Sequence, residues 1–532
     1  MLNINRRQLM RHGLGAAAGA AAISAGPISG AADTGAAKQT IAGTHAAGEI
    51  FGIRVIDSQT GRGVPLVELR TVNNIRYVTD SSGVAAVHDP GLLRNRVYFY
   101  ISSPGYTYPK DAFGYSGIAL EATPGKTALI RVQRTNIAER LYRITGEGIY
   151  SDSVQLGIEA PIKAPLLNGR VMGQDSCLGT VYQGRIFWIW GDTAGPQYPL
   201  GNFRTSGATS AIPGHGGLGP DIGINLHYFT DASGFCRAMC PLPGEPKGVV
   251  WLDGLTTVAD RQGRRRLIAR YSRRNGLISL LEHGLAVWND SAQIFEKAAE
   301  YPLHEHWRFP VGHPSTVQDQ NSLYLLFSPQ FPVVRVKANL NAVMHCRHYE
   351  AFTCLQSGTT FSGKKSRLDR DAHGRLIWAW KKETAPVGSE QEKQLISHGL
   401  MKPDEAHFQL LDARSGRPIL IQNGSFFWNN YLRRWIMIGV ERGGDSFLGE
   451  IWFASAEKPY GPWRLAKKVA THPNYSFYNP VQNPFFDQDN GRIIYFQGTY
   501  SATFSGNTHP TPRYDYNQIM YRLDISDPRL RM

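Results

Sequence analysis

The chain has 532 residues, more than one ordinary hydrophobic core holds, which indicates at least two folded units. It carries 57 basic and 43 acidic residues, a net charge of +14, and its 56 glycines, 31 prolines and 11% aromatic residues are typical of short strands joined by tight turns. Because the arginine-rich stretch at 260–276 is typical of a solvated hairpin, no nucleic-acid partner is expected.

Residues 1–32 have the three parts of a signal peptide. Arg6 and Arg7 precede a weakly apolar run rich in alanine and glycine, and small residues follow near Ala31. The arginine pair predicts export by the twin-arginine machinery, so we expect a periplasmic or secreted protein. Residues 33–47 are predicted to be a linker. Removing the leader takes away three arginines and no acid, and the remaining +11 favours either an anionic glycan or simply a basic proteome.

The chain has five cysteines, an odd number that leaves at least one thiol free. Folding in a reducing cytoplasm before export disfavours a disulfide framework, so we expect buried thiols. Cys236 and Cys240 have no matching second pair, and His304 and His306 have no third ligand at a fixed spacing. No metal site is therefore predicted.

Residues 48–147 alternate apolar and polar positions in short runs separated by turns, which predicts a small β-sandwich. The turn TDSSG at 79–83 and the order of strands and turns around it resemble the carboxypeptidase-regulatory or transthyretin-like domain of many exported enzymes. That resemblance implies a stabilising or docking module without catalysis.

Residues 152–530 contain one strand pattern after another, and only SEQEKQLISHGL at 389–400 suggests a helix. So many short strands exceed a single sandwich and favour a β-propeller. At roughly forty residues a blade, the length indicates about five blades. The predicted fold class is thus all-β, a small β-sandwich followed by a five-bladed β-propeller.

Two segments carry a second resemblance. LGEIWFASAEKPYGPWRLAKKV at 448–469 resembles a blade hairpin of five-bladed propeller glycoside hydrolases such as arabinanases and invertases. GQDSCLGTVYQGRIFWIWGDT at 173–193 resembles the first blade of a related family that includes endo-acting D-arabinanases. This resemblance implies that Asp175 and Asp192 are the two catalytic aspartates. The alternative is that both are turn residues whose carboxylates bond the local backbone.

Cleavage of a glycosidic bond needs one carboxyl group to protonate the leaving oxygen and a second to act as base or nucleophile. Glu441 ends an apolar strand and is the third candidate, as a general acid. An ion pair with Arg442 is the alternative. Asp253, at the end of another apolar strand, occupies a similar place.

The expected substrate-binding residues combine aromatic rings, amides and a cation, which suit sugar faces, hydroxyls and a carboxylated sugar. Packing between blades is the alternative for most of them. These residues are His313, Tyr478, Asn479, Gln482, Arg513 and Tyr514.

The sequence therefore predicts an exported glycan-active enzyme, a glycoside hydrolase whose substrate is a polysaccharide or oligosaccharide. Two alternatives stay open: a polysaccharide lyase acting on a uronate-containing glycan, and a propeller that only binds glycan or protein. No glycine-rich phosphate loop opens a helix after a strand, so no cofactor is expected.

Overall fold

A computed structural model describes residues 49–202, 204–244, 247–276, 279–328 and 330–532, without the side chains of 198–202. The signal peptide predicted at 1–32 and the linker predicted at 33–47 lie outside the described residues. Strands predominate and helices are few and short, which confirms the all-β class. Within the described ranges, no helix has the length and apolar character needed to cross a membrane.

Two four-stranded sheets form the N-terminal part. Their inward faces share one core that includes Ile53, Leu69 and Phe99, so each sheet buries the apolar residues of the other. In spatial order, the first sheet contains Val84–Val87, Phe51–Asp57, Thr127–Arg134 and Tyr106–Thr107, and the second contains Arg76–Val78, Glu68–Thr71, Arg96–Ser102 and Gly117–Glu121.

Five further sheets follow, named I to V in chain order. In spatial order, sheet I contains Leu178–Tyr182, Arg185–Trp190, Ser206–Ala211 and His227–Tyr228, and sheet II contains Val249–Ala259, Arg265–Asn275, Ser279–Asn289 and Ile294–Glu300. Sheet III contains Ser315–Asp319, Ser322–Phe327, Val334–Lys337, Glu350–Thr353 and Ala379–Lys382. A small sheet of Gly173–Gln174, Thr193–Gly195 and Tyr198–Asn202 lies outside this series.

Sheets IV and V complete the chain. From its first strand outward, sheet IV contains Ile421–Asn429, Arg434–Glu441, Ile451–Ala456, Leu465–Ala470, Leu410–Asp412 and Pro418–Ile419. Sheet V contains Ser476–Gln482, Ile493–Ser501, Asn517–Asp524 and Glu139–Arg143. Glu139–Arg143 falls within the range 48–147 predicted for the first unit, but it pairs with Asn517–Asp524 and so ties the two ends of the second unit together.

The five sheets pack on one another in a closed cycle. One core joins sheets I and II through Phe187 and Leu252, and another joins sheets II, III and IV. A third core joins IV and V, and a fourth joins V back to I through Tyr495 and Trp188. Within this cycle the first strand of sheet I contacts the first strand of sheet II, and the first strand of sheet IV contacts the first strand of sheet V.

The described helices are short. The α-helices are Ser151–Gln155, Leu340–Val343 and Ser389–Ser397, and the 3-10 helices are Cys346–His348, Gly363–Lys365, Pro403–Glu405, Pro484–Phe486, Asp489–Gly491 and Pro528–Leu530. The helix predicted within 389–400 is confirmed. All five cysteines are free thiols; Cys177, Cys236, Cys240 and Cys354 are buried, as expected from the sequence, and Cys346 is partly exposed.

The turn at 79–83 contacts the second unit. Asp80 Oδ2 accepts a hydrogen bond from Ser153 N at 2.7 Å, and Asp152 Oδ1 accepts one from Ala86 N at 2.9 Å. Ser81 N donates to Ile149 O at 3.0 Å. These reciprocal contacts fix the N-terminal sheets against the helix Ser151–Gln155.

Candidate active site

Asp175 and Asp192 lie together at the start of sheet I. Asp192 N donates to Asp175 Oδ1 at 3.1 Å, and Asp175 N donates back to Asp192 O at 3.3 Å. The predicted hairpin Leu178–Tyr182 with Arg185–Trp190 is confirmed, and it brings the segment before its first strand beside the segment after its second. Only 2% of Asp175 and 1% of Asp192 is exposed, so solvent screens their charges weakly.

Aromatic side chains from two other sheets hold the two carboxylates. Trp251, in the first strand of sheet II, donates its indole N–H to Asp192 Oδ1 at 2.6 Å. Tyr478, in the first strand of sheet V, donates its hydroxyl to Asp175 Oδ2 at 3.0 Å. The site is therefore built where sheets I, II and V meet, and each aspartate is held by a neighbouring sheet.

A line of polar side chains continues from this site into sheet IV. Asn479 Nδ2 donates to Ser176 Oγ at 2.5 Å, and Asn423 Nδ2 donates to Asn479 Oδ1. Ser176 and Asn479 adopt φ values of 53° and 51°, a left-handed conformation that is uncommon for serine and marks local strain. All three are partly exposed, so they form a polar rim above the buried aspartates.

Asp253 lies two residues beyond Trp251 on the same strand. Its Oδ1 accepts hydrogen bonds from Gly254 N at 2.7 Å and Gly312 N at 2.9 Å, which connects sheet II to the segment before sheet III. Burial raises the pKa of Asp253, while the charge of Arg270 and these two N–H groups act in the opposite direction.

Arg270, in the second strand of sheet II, lies directly opposite Asp253 of the first strand in the antiparallel register. Its guanidinium lies over the ring of Phe309, 3.9 Å from the ring centroid, and its Nη2 lies 3.2 Å from His283 Nδ1. Burial lowers the pKa of Arg270 to about 10, and Asp253 opposes that shift. Since Arg270 donates to Nδ1, His283 carries its proton on Nε2, which faces Pro302 O at 2.9 Å.

His313 immediately follows Gly312 and precedes the first strand of sheet III. It is partly buried, and burial lowers its pKa to about 4. The imidazole is thus neutral at physiological pH, with one nitrogen that donates and one that accepts. Through Gly312, the Asp253 carboxylate fixes the backbone that presents His313.

Glu441, the third predicted carboxylate, forms an ion pair. Both of its oxygens accept from Arg417, at 2.5 and 3.0 Å, and Trp452 Nε1 donates to Oε2 at 2.9 Å. Arg442, the partner that the sequence suggested, pairs with Glu390 instead. Such bidentate, charge-assisted hydrogen bonds are stronger than those between neutral groups and fix the geometry of both side chains.

The remaining predicted residues divide by location. Tyr478 and Asn479 lie at the aspartates, whereas Gln482 ends the same strand and donates to Asp487. Arg513 contacts Asp152 at 3.1 Å and Glu147 at 3.5 Å, and the Tyr514 hydroxyl donates to Thr79 O at 2.9 Å. Arg513 and Tyr514 thus hold the junction with the N-terminal sheets.

Sequence reasoning missed Trp251 and Ser176. Trp251 precedes Asp253 by two positions on a strand, and this spacing places both side chains on one face. That pairing of an aromatic ring and an acid was the available signal. The contact of Trp251 with Asp192 joins two sheets, and the two residues are 59 positions apart, so no local sequence pattern indicates it.

The chain matches no protein-family model and no curated protein. Among solved structures it is similar to exo-β-1,3-galactanase from Phanerochaete chrysosporium with β-1,3-galactotriose, at 11% identity and a TM-score of 0.36; the match covers 74% of this chain but 65% of that one. It is also similar to α-L-arabinofuranosidase from Fusarium graminearum, at 12% identity and a TM-score of 0.35, over 73% of this chain and 99% of that one.

Proposed function

We propose that the protein is an exported glycoside hydrolase in which Asp175 and Asp192 cleave a glycosidic bond of a polysaccharide or oligosaccharide. The two carboxylates share one buried site, and side chains from two other sheets, Trp251 and Tyr478, bind them. Hydrolysis of a glycosidic bond requires two carboxyl groups within reach of one sugar.

We propose further that sheets I to V are the five blades of a β-propeller, and that the two N-terminal sheets form a β-sandwich docked on it. The closed cycle of packed sheets supports the first assignment, and the shared core of the N-terminal sheets supports the second. In a propeller the first strands surround a central funnel, which suits the polar rim above Asp175 and Asp192 as the entrance for substrate.

The rim chemistry fits a neutral sugar. In the rim, Asn423, Asn479 and Ser176 offer amide and hydroxyl groups to sugar hydroxyls, and Trp251, bound to Asp192, offers a ring face. We assign a neutral imidazole to the same site from His313, which follows the Gly312 bound by Asp253. We assign Glu441 a structural role, because Arg417 and Trp452 already engage its oxygens. Arg513 and Tyr514 are likewise assigned to the junction with the N-terminal sheets.

The proposal is tested by incubating the protein with a panel of neutral and uronate-containing glycans and measuring new reducing ends. Asp175→Asn and Asp192→Asn should each lose activity by about 1,000-fold or more while keeping the circular dichroism spectrum of the parent. Glu441→Gln is the matched control, since it also alters a buried carboxylate. Full activity in either aspartate variant would refute the site. Ultraviolet absorbance from an unsaturated product would show a lyase instead.

A further inference from the structure

A cavity with a volume of about 190 Å³ lies beside His227–Tyr228, the outermost strand of sheet I, and the two candidate catalytic aspartates do not line it. A second cavity of about 70 Å³ adjoins it. The two together are smaller than the roughly 300–1,000 Å³ typical of sites for drug-sized ligands, which suits one sugar ring. The residues that line both cavities are Lys163, Ile224, Asn225 and His227.

Two side-chain amides fix the wall of these cavities. Asn225 Oδ1 accepts a hydrogen bond from Lys163 N at 2.8 Å, and Asn168 Nδ2 donates one to Leu226 O at 2.9 Å. The two bonds attach both ends of the segment 163–168 to the chain that leads into the outermost strand. The wall is therefore held by bonds within the protein, and a ligand does not have to order it.

The polar groups that remain at the shared wall are hydrogen-bond donors. Lys163 Nζ forms no ion pair with any described residue, and Asn225 Nδ2 donates to none of them. The imidazole of His227, which is exposed, carries an N–H in either of its charge states. Among the described residues that line the two cavities none is Asp or Glu. A cation and further donors without a competing acid favour a carboxylate.

The rest of the larger cavity suits the remainder of a sugar. Ile149 and Leu226 are buried and line it, so they offer an apolar surface to the C–H groups of a sugar ring. Asn168 Oδ1 accepts from no other described residue, and it is left to accept from a sugar hydroxyl. A carboxylate, hydroxyls and a C–H face occur together in a uronate.

We propose that this cavity binds a uronate unit of a glycan, as a second carbohydrate site beside the catalytic one. The carboxylate lies at the wall shared by the two cavities, where Lys163, Asn225 and His227 donate to it. The ring lies in the larger cavity against Ile149 and Leu226. This inference goes beyond the proposed function, because binding here requires no cleavage at the aspartates.

The test is the binding of D-glucuronate and D-galacturonate to the protein, compared with D-glucose and D-galactose, by saturation-transfer NMR titration. Because a charge-assisted hydrogen bond is stronger than a neutral one, the uronates should bind about 10-fold more tightly than the neutral sugars. Lys163→Gln should remove this preference, and Lys163→Arg, which keeps the cation, should retain it. Lys393→Gln, at another exposed lysine, is the matched control.

Two further variants locate the ligand. Asn225→Asp keeps the oxygen that accepts from Lys163 N but places a negative charge beside the carboxylate, so it should abolish uronate binding. Asp192→Asn should leave uronate binding unchanged, because Asp192 does not line the cavity.

Equal affinity for uronates and neutral sugars would overturn the inference, as would undiminished uronate binding in Asn225→Asp. Acetate bound as tightly as the uronates would show that the cavity recognises a carboxylate without a sugar, and loss of uronate binding in Asp192→Asn would place the ligand at the aspartates; either result also overturns it. None of these results bears on hydrolysis, which fails separately if the protein cleaves no glycan.

Discussion

The indole N–H of Trp251 lies 2.6 Å from Asp192 Oδ1 and donates a hydrogen bond to it. Trp251 belongs to sheet II and Asp192 to the end of a hairpin in sheet I, so the contact depends on how two sheets pack. Tyr478 of sheet V holds Asp175 in the same manner.

Gly191 should be required for the geometry of Asp175. A Cβ atom at position 191 would lie 2.2 Å from Asp175 Oδ1, so Gly191→Ala must displace that carboxylate. A displacement of this size should lower kcat/KM about 100-fold. Steady-state kinetics with the identified glycan check this. Gly91→Ala is the control, because the nearest atom there, Asp89 Oδ1, is 3.3 Å away; equal activity in the two variants would contradict the prediction.

Glu441→Gln should affect stability and leave catalysis intact. The substitution removes charge-assisted hydrogen bonds from Arg417, which should lower the free energy of unfolding by about 1.5–3 kcal/mol. Glu457→Gln is the control, since its pair with Arg434 is exposed and such pairs contribute about 0–1 kcal/mol. Urea denaturation and kinetics are the measurements. A large loss of kcat in folded Glu441→Gln would restore Glu441 as a catalytic candidate.

His313 should bind substrate as a neutral group. Because burial lowers its pKa to about 4, it does not titrate between about pH 5 and pH 8. His313→Gln should therefore raise KM and leave the shape of the pH profile unchanged. The exposed His373→Gln is the control. Loss of a limb near pH 6.5 in the variant, at about the ordinary pKa of histidine, would show that His313 carries a proton in the reaction.

Because of Asp487, the free energy of unfolding should fall as pH rises from about 4 to about 7. Burial raises the pKa of Asp487 from 3.8 to about 7, and the hydrogen bond from Gln482 opposes the shift. Between these two values the folded protein holds a proton that the unfolded chain releases, so the stability conferred by this proton is lost as pH rises through the range.

Asp487→Asn should remove this loss. At about pH 8 the variant should be more stable than the parent by about 1–3 kcal/mol, and the difference should vanish near pH 4. Urea denaturation at both pH values is the measurement. The exposed Asp371→Asn is the control, and a variant less stable than the parent at pH 8 would contradict the prediction.

Local sequence patterns predicted what depends on local structure. The alternation in 173–193 predicted the hairpin, and helical spacing in 389–400 predicted the helix Ser389–Ser397, because each element is stabilised within a short segment. Asp175 and Asp192 were suggested by a family resemblance and by the hairpin that separates them, and the structure brings them together.

Contacts between residues that are distant in the sequence could not be predicted from local patterns. Glu441 pairs with Arg417 and not with its neighbour Arg442, because strand pairing in sheet IV brings residue 441 beside residue 421. Trp251 reaches Asp192 only because sheets I and II pack. Arg513 was predicted to bind substrate because it is a cation among aromatic and amide residues, but its partner Asp152 lies 361 residues earlier in the chain and Glu147 lies near Asp152.

The most direct test of the central claim is glycan cleavage by the parent protein beside Asp192→Asn. We predict that the parent releases new reducing ends from at least one glycan and that folded Asp192→Asn releases them about 1,000-fold more slowly or not at all. Equal rates in the two proteins, or a parent inactive on every glycan, would contradict the assignment of Asp175 and Asp192 as a hydrolytic pair.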